Sequence, residues 1–311
     1  MSKFVNKTLI LAKLEVTPGT DIVPAAADAI LVGNPNIVPL EMSYAERNLV
    51  RSFFGNSDAI PTVRKVRVTF EVELQGSGTA GTAPAYGGLL QACACAETIV
   101  AVTSVTYAPQ SPGVKTVSIY YNVDGLLHKI VWARGNARLM IKANDIPKIA
   151  FEFIGLDTGA TDTALVSSPV FTGFKTPLAA NKVNTPTFSL FGASSLALES
   201  FELNLGVVNE QVSRIGSEQV LNTDRKAVGS IMIEMTTVAV KDWLSQVKNG
   251  TLGALNLVHG TVAGSIVTIA GANLQLTSPQ FSSIQGIQMV QFTTKFMPSN
   301  SGNDEFSIAF T

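Results

Sequence analysis

Apolar and polar side chains alternate with a period of two over several stretches of this chain. Val66, Val68, Phe70, Val72 and Leu74 interleave with Lys65, Arg67, Thr69, Glu71 and Glu73. That pattern predicts a strand with one buried face and one wet face. Val117, Ile119, Tyr121 and Val123 alternate likewise and stop at Asp124-Gly125, a hairpin signal leading into residues 126–132. Ile149, Phe151 and Phe153 form a third such run, with Ile231, Ile233, Met235 and then Ile287, Met289, Val290 and Phe292 as weaker ones. Helical spacing is rarer. It places a helix over Tyr86–Glu97, on Leu89, Leu90 and Cys93, and another over Val240–Lys248, on Trp243, Leu244 and Val247 and ending at Asn249-Gly250. Gly76–Thr82 reads as a mobile loop.

The pattern repeats. With an offset of 161 residues, Glu41, Asn48, Ser52, Gly55, Thr62, Arg64, Lys65 and Glu73 fall on Glu202, Asn209, Ser213, Gly216, Thr223, Arg225, Lys226 and Glu234. These are eight identities over the 34 positions 41–74, where chance at ordinary residue usage gives roughly two. Each helix follows the shared strand, so strand, loop and helix belong to the repeated unit. Two fused copies can fill two adjacent, equivalent places in one ring, which points to assembly before catalysis. Residues 157–186, rich in Thr, Ala, Ser and Gly with Pro169, Pro177 and Pro186, read as an extended linker between domains 1–156 and 187–311. Glu305–Phe310 alternates and forms a strand that closes its own domain or augments a neighbour.

Between the repeated strands lie two excursions, 45–63 and 206–224, that keep Asn, Ser and Gly in step. Loops drift faster than strands, so the retained residues imply a shared turn or contact. Phe53-Phe54 is an apolar pair ill suited to water.

Composition narrows the function. The 311 residues suffice for two domains of ordinary size. Only 14% are charged, against about 25% on average; such a surface is often covered by another subunit. A net charge of −1 and no Lys/Arg run argue against steering toward nucleic acid. Cys93 and Cys95 are too close in sequence to bridge each other and fit a reducing compartment. His128 and His259, the two histidines, lack a flanking nucleophile or acidic partner. No phosphate loop, dinucleotide fingerprint or calcium loop occurs. We therefore expect no catalytic residues, no cofactor and no metal, and no membrane-spanning stretch.

The segment Ala83-Pro84-Ala85-Tyr86-Gly87-Gly88-Leu89-Leu90-Gln91-Ala92-Cys93, after the strand 64–74, resembles the Gly-rich loop and Leu-Leu-x-Ala-Cys helix of tail tube proteins from long-tailed, non-contractile bacteriophages. Leu9–Glu15 with Thr17-Pro18-Gly19-Thr20, and Glu41-Met42-Ser43, are similar to the same family. The resemblance covers residues 8–156 and reaches the second half through the repeat. It implies a mainly β fold: two tandem tail-tube-type β-sandwich or barrel domains, each with one flanking helix. It implies a virion tail protein, assembled in the host cytoplasm into stacked rings that conduct DNA. Three duplicated chains would make a pseudo-hexameric ring. Its partners would be itself, tape measure protein and DNA held without sequence specificity, and tail tip and terminator proteins, with no membrane. Lys65, Arg67, Thr69, Glu71, Glu73, Glu152, Lys226 and Glu234 are the expected lumen wall. Glu46, Arg47, Asn48, Arg51, Phe53, Phe54, Gly55, Asn209, Arg214 and Gly216 are the expected contacts to the next ring. The competing readings are another tube protein of this fold group, from a type VI secretion system or a contractile tail, and a two-domain adhesin.

Overall fold

A computed structural model describes residues 2–311. The first half contributes β1 (Thr8–Leu14), β2 (Ala29–Ile30), β3 (Gly33–Ala45), β4 (Ile60–Glu73), α1 (Gly87–Ala92), β5 (Cys95–Val100), β6 (Ser104–Pro109), β7 (Val117–Val123), β8 (Leu126–Lys142) and β9 (Lys148–Asp162). The second contributes β10 (Thr187–Leu190), β11 (Ala193–Ser194), β12 (Leu198–Asn204), β13 (Val207–Arg214), β14 (Ser217–Arg225), β15 (Val228–Glu234), α2 (Trp243–Lys248), β16 (Leu252–His259), β17 (Val267–Ile284), β18 (Ile287–Phe296) and β19 (Ser307–Phe310).

All pairings are antiparallel, and one strand order occurs in both halves. The first ladder runs β2-β1-β7-β8-β9-β4-β3. The second runs β11-β10-β16-β17-β18-β15-β12. Each ladder curls so that its inner face meets itself: Ile10 and Ile119 from one end share a core with Val68, Phe70 and Phe153 from the other. Bulges in β8 at His128/Ile130 and Val131/Arg134 supply the bend. At the entrance of β7 and β8 the buried Glu15 carboxylate accepts from the Gly19 N–H (2.7 Å), the Thr116 and Ser118 hydroxyls (2.6 and 2.9 Å) and the Trp132 N–H (2.8 Å). Asp124 and Gly125, with φ of 46° and 89°, make the expected tight turn of β7–β8.

The helices are shorter than their spacing suggests. α1 ends at Ala92, because Ala94 turns left-handed (φ 59°) and Cys95–Val100 pairs with β6 instead of continuing to Glu97. Asp242 caps α2 by accepting from the Ser245 N–H. Trp243 is fully buried against Phe292, with its indole N–H donating to Thr236. Both helices thereby close the core on the side away from the polar strand faces.

The halves are joined in several places. The C-terminal part of β8 pairs with β12. β19 stays within its own chain, inserted between β17 and β6. Arg225, only 10% exposed, pairs with Glu305 at 2.9 Å and donates to the Gln110 carbonyl. Gly78 donates its N–H to the Gly264 carbonyl, so the 76–82 loop expected to be mobile is anchored. A Cβ on Gly264 would sit 2.3 Å from the Gly78 carbonyl carbon, which is why only glycine fits. Strand β9 runs on to Asp162, so the first six residues of the expected linker, 157–162, belong to the strand.

The repeat needs one adjustment. Glu73 and Glu234 end equivalent strands, and Thr69 and Ser230 occupy equivalent places along them. Thr69 lies opposite Asn36, whereas Ser230 lies opposite Glu202. Glu202 therefore matches Asn36, five residues before Glu41, since the first hairpin is longer by that much.

Candidate functional site: a charged sheet face

Because β8 pairs with β12, eight strands form one continuous antiparallel run in the order β3-β4-β9-β8-β12-β15-β18-β17. Its first four strands and its last four have the same arrangement. Strand alternation sends one set of side chains into the core and the other onto an open polar face. On β4, Val66, Val68, Phe70 and Val72 are buried, so Lys65, Arg67, Thr69, Glu71 and Glu73 share the open face. Glu152 joins them from opposite Thr69, and Glu234 from β15.

Lys226 does not. It lies between β14 and β15, at the bend of the long second hairpin, and pairs with Asp224 at 2.8 Å. The bend breaks the alternation that keeps Lys65 in line. Glu41, Arg138, Lys142, Lys148, Glu202 and Lys295 belong to the face although they were not expected there. The alternation of Arg138, Met140 and Lys142 with Ala137, Leu139 and Ile141 was available in the sequence to reveal part of this set.

Most charges on this face are paired, with Lys142 and Lys295 the basic groups that have no ion-pair partner among the described residues. Arg67 bridges Glu41 (2.7 Å) and Glu152, Lys65 reaches Glu41 at 3.3 Å, Lys148 reaches Glu71 at 3.3 Å, and Arg138 reaches Glu202 at 2.6 Å across the junction of the halves. The Arg67 hydrogen bond holds the Glu41 carboxyl below the usual glutamate range, and Glu41 in turn raises the Arg67 guanidinium. Among the described residues Glu73 and Glu234 have no ion-pair partner, leaving two free carboxylates at equivalent strand ends.

The candidate contact residues separate into two groups. Glu46, Arg47, Asn48, Arg51, Phe53, Phe54 and Gly55 form an exposed arm between β3 and β4, with its base closed by Arg47–Asp58 at 2.8 Å. Their counterparts build a regular hairpin, β13–β14, rather than a loop: Asn209 bonds to Asn222 across it, and Arg214 and Gly216 lie at its tip. This hairpin does not project freely. The Val207 N–H donates to Asn136, and the Gln211 amide donates to the Arg64 carbonyl at 2.7 Å, both within its own chain.

Chemistry is sparse elsewhere. His259 is buried, with Nε2 donating to the Leu178 carbonyl (3.1 Å), which leaves Nδ1 to accept from the Thr185 hydroxyl (2.9 Å). Burial lowers its pKa and keeps the ring neutral, so it ties residues 178–185 to β16. Burial raises the Cys93 and Cys95 thiols, the latter to about 12, which keeps both unreactive. Among the described residues no group of three or more His, Cys, Asp and Glu is placed to hold a metal, and no helix is long and apolar enough to cross a membrane.

An antiparallel sheet that joins two four-strand units of the same strand order edge to edge, with a polar face of mixed charge, is suited to a structural building block. Residues 5–297 match the family model described as phage tail tube protein. The chain belongs to that family, and is thus a structural protein of the bacteriophage tail. No curated protein matches it significantly.

Proposed function

We propose that this chain is a tandemly duplicated tube protein of a long-tailed, non-contractile phage, with domains 1–156 and 187–311 joined by the 157–186 segment. Three copies supply six equivalent units to a ring, and the rings stack into a tube around tape measure protein and later DNA. The observation that carries this reading is the repetition of β3-β4-β9-β8 as β12-β15-β18-β17, joined within one chain. A ring of such units leaves neither end of that eight-strand run exposed.

The polar face lines the lumen. A wall on which Lys65, Arg67, Arg138 and Lys148 are held by carboxylates, leaving Lys142 and Lys295 against Glu73 and Glu234, offers few free cations to phosphate, so little counterion release favours retention of DNA. Glu73 and Glu234 add repulsion. Assembly takes place in the host cytoplasm, with tail tip and terminator proteins meeting the tube ends. Class averaging of rings or filaments by electron microscopy tests the reading. Threefold rings of six lobes are expected. Protein that stays monomeric at high concentration, even with tail tips added, refutes it.

A further inference from the structure

The chain contains a template for its own contact with the next copy. At the internal junction, Leu139 and Ile141 of β8 lie opposite Leu203 and Phe201 of β12, and all four are buried. The equivalent residues can be read from the registers. Leu139 sits opposite Ile149 on β9, and Phe281 of β17 sits opposite Val290 on β18, in the same place relative to Glu73 and Glu234. Leu203 sits opposite Gly229, and Ile37 of β3 sits opposite Val68. Phe281 therefore matches Leu139, and Ile37 matches Leu203.

Both matching edges lack a strand partner. Along 280–284, β17 pairs only with β18, and Gln280, Phe281, Ser282 and Ser283 are exposed. Along its length β3 pairs only with β4. Phe281 is 53% exposed on the core-facing side, where its counterpart Leu139 is 0% exposed. Backbone directions agree as well. The Leu74 N–H donates to Pro147, so even-numbered β4 residues face β9 and odd ones face β3; Asn36 and Val38 then face β4, and Ile37 presents its N–H and C=O outward. By the same parity from the Met235–Gln288 bond, Phe281 and Ser283 present theirs outward.

We infer that the β17 edge at 280–284 pairs antiparallel with the β3 edge at 34–38 of a second copy, Phe281 opposite Ile37 and Ser282 opposite Asn36. This rests on the self-assembly reading above and specifies its junction. Gln280 and Asn36 stand where Arg138 and Glu202 form the internal ion pair, so two amides replace two charges. Pro35, Pro39 and Pro279 flank the pair and remove ladder donors on either side, which limits pairing in other registers. The same superposition places the arm 46–59 of the second copy over β17–β18, as β13–β14 lies on β8 and β9. Leu49, Val50, Phe53 and Phe54, exposed in one chain, are then covered within the ring rather than by the next ring.

Both native cysteines are buried, so paired surface cysteines report the register. Asn36→Cys with Ser282→Cys, oxidised mildly after assembly, is expected to give dimers and covalent closed rings on a non-reducing gel. Tyr44→Cys with Ser282→Cys, out of register, is expected to give at most a few per cent of that product. Tubes or rings that form normally yet yield no Asn36→Cys/Ser282→Cys product, or equal product from both pairs, overturn the junction while leaving self-assembly intact. Wild-type protein that never assembles overturns the underlying reading instead.

Discussion

Leu139 and Phe281 occupy one place in the repeated sheet but opposite environments, and truncating each separates folding from assembly. Leu139 has no exposed surface, so Leu139→Ala loses its transfer energy and leaves a cavity, about 2–5 kcal/mol of stability in the single chain. Phe281 is 53% exposed, so Phe281→Ala costs the single chain only about 1 kcal/mol. In the proposed junction the exposed half of the ring, roughly 100 Å² of a Phe side chain, also leaves water. At about 25 cal/mol per Å² this is about 2.5 kcal/mol per junction, roughly a sixty-fold loss of junction affinity. Urea denaturation below the assembly concentration gives the first quantity, and the critical concentration by sedimentation gives the second. Phe281→Ala protein that assembles at the wild-type concentration, or Leu139→Ala protein that loses under about 1 kcal/mol, refutes the reasoning.

Glu73→Lys with Glu234→Lys is expected to leave tube formation intact and to slow DNA ejection from reconstituted particles, since the added cations face passing phosphate; failure to form tubes places these residues at an interface. Gly264→Ala forces a Cβ into the Gly78 backbone at φ +84° and should destabilise the chain by on the order of 1–3 kcal/mol, seen as a lower melting temperature with faster hydrogen exchange in residues 76–82. Acid should weaken the polar face. Glu41 has a depressed carboxyl in the folded state, so its contribution is complete above the ordinary glutamate value and disappears as pH falls through the folded one. Its partners are about a third exposed and still screened by solvent, so the pair contributes about 0.2–1 kcal/mol; Arg67→Ala should flatten that part of the stability profile, and an unchanged profile excludes the assignment.

Much of the fold was legible because alternation reports directly on burial. Strands β4, β7, β8 and β9 follow from their runs of apolar residues, and the wet side of β4 identified Arg67, Glu71 and Glu73 as one face. The rest depended on partners far away in the chain. Cys95–Val100 follows a good helical start, yet it is a strand because β6 lies beside it and β19 continues the sheet. Lys226 matches Lys65 by identity and loses its place because the second hairpin bends there. Glu202 was aligned with Glu41 and stands at the position of Asn36, a shift visible only in the register.

The sequence by itself determined that strands dominate, which face of each is wet, and that the pattern occurs twice. These are local properties, set by alternation, turn residues and composition. Only the tertiary structure decided that β8 and β12 join the halves into one eight-strand run, that the β13–β14 hairpin packs on its own chain, and that β3 and the 280–284 part of β17 are left unpaired at the two ends of that run. Strand pairing is a contact between distant segments whose backbone groups are chemically alike. Which edges meet is settled by the shape of the whole fold, not by any residue on the edges themselves.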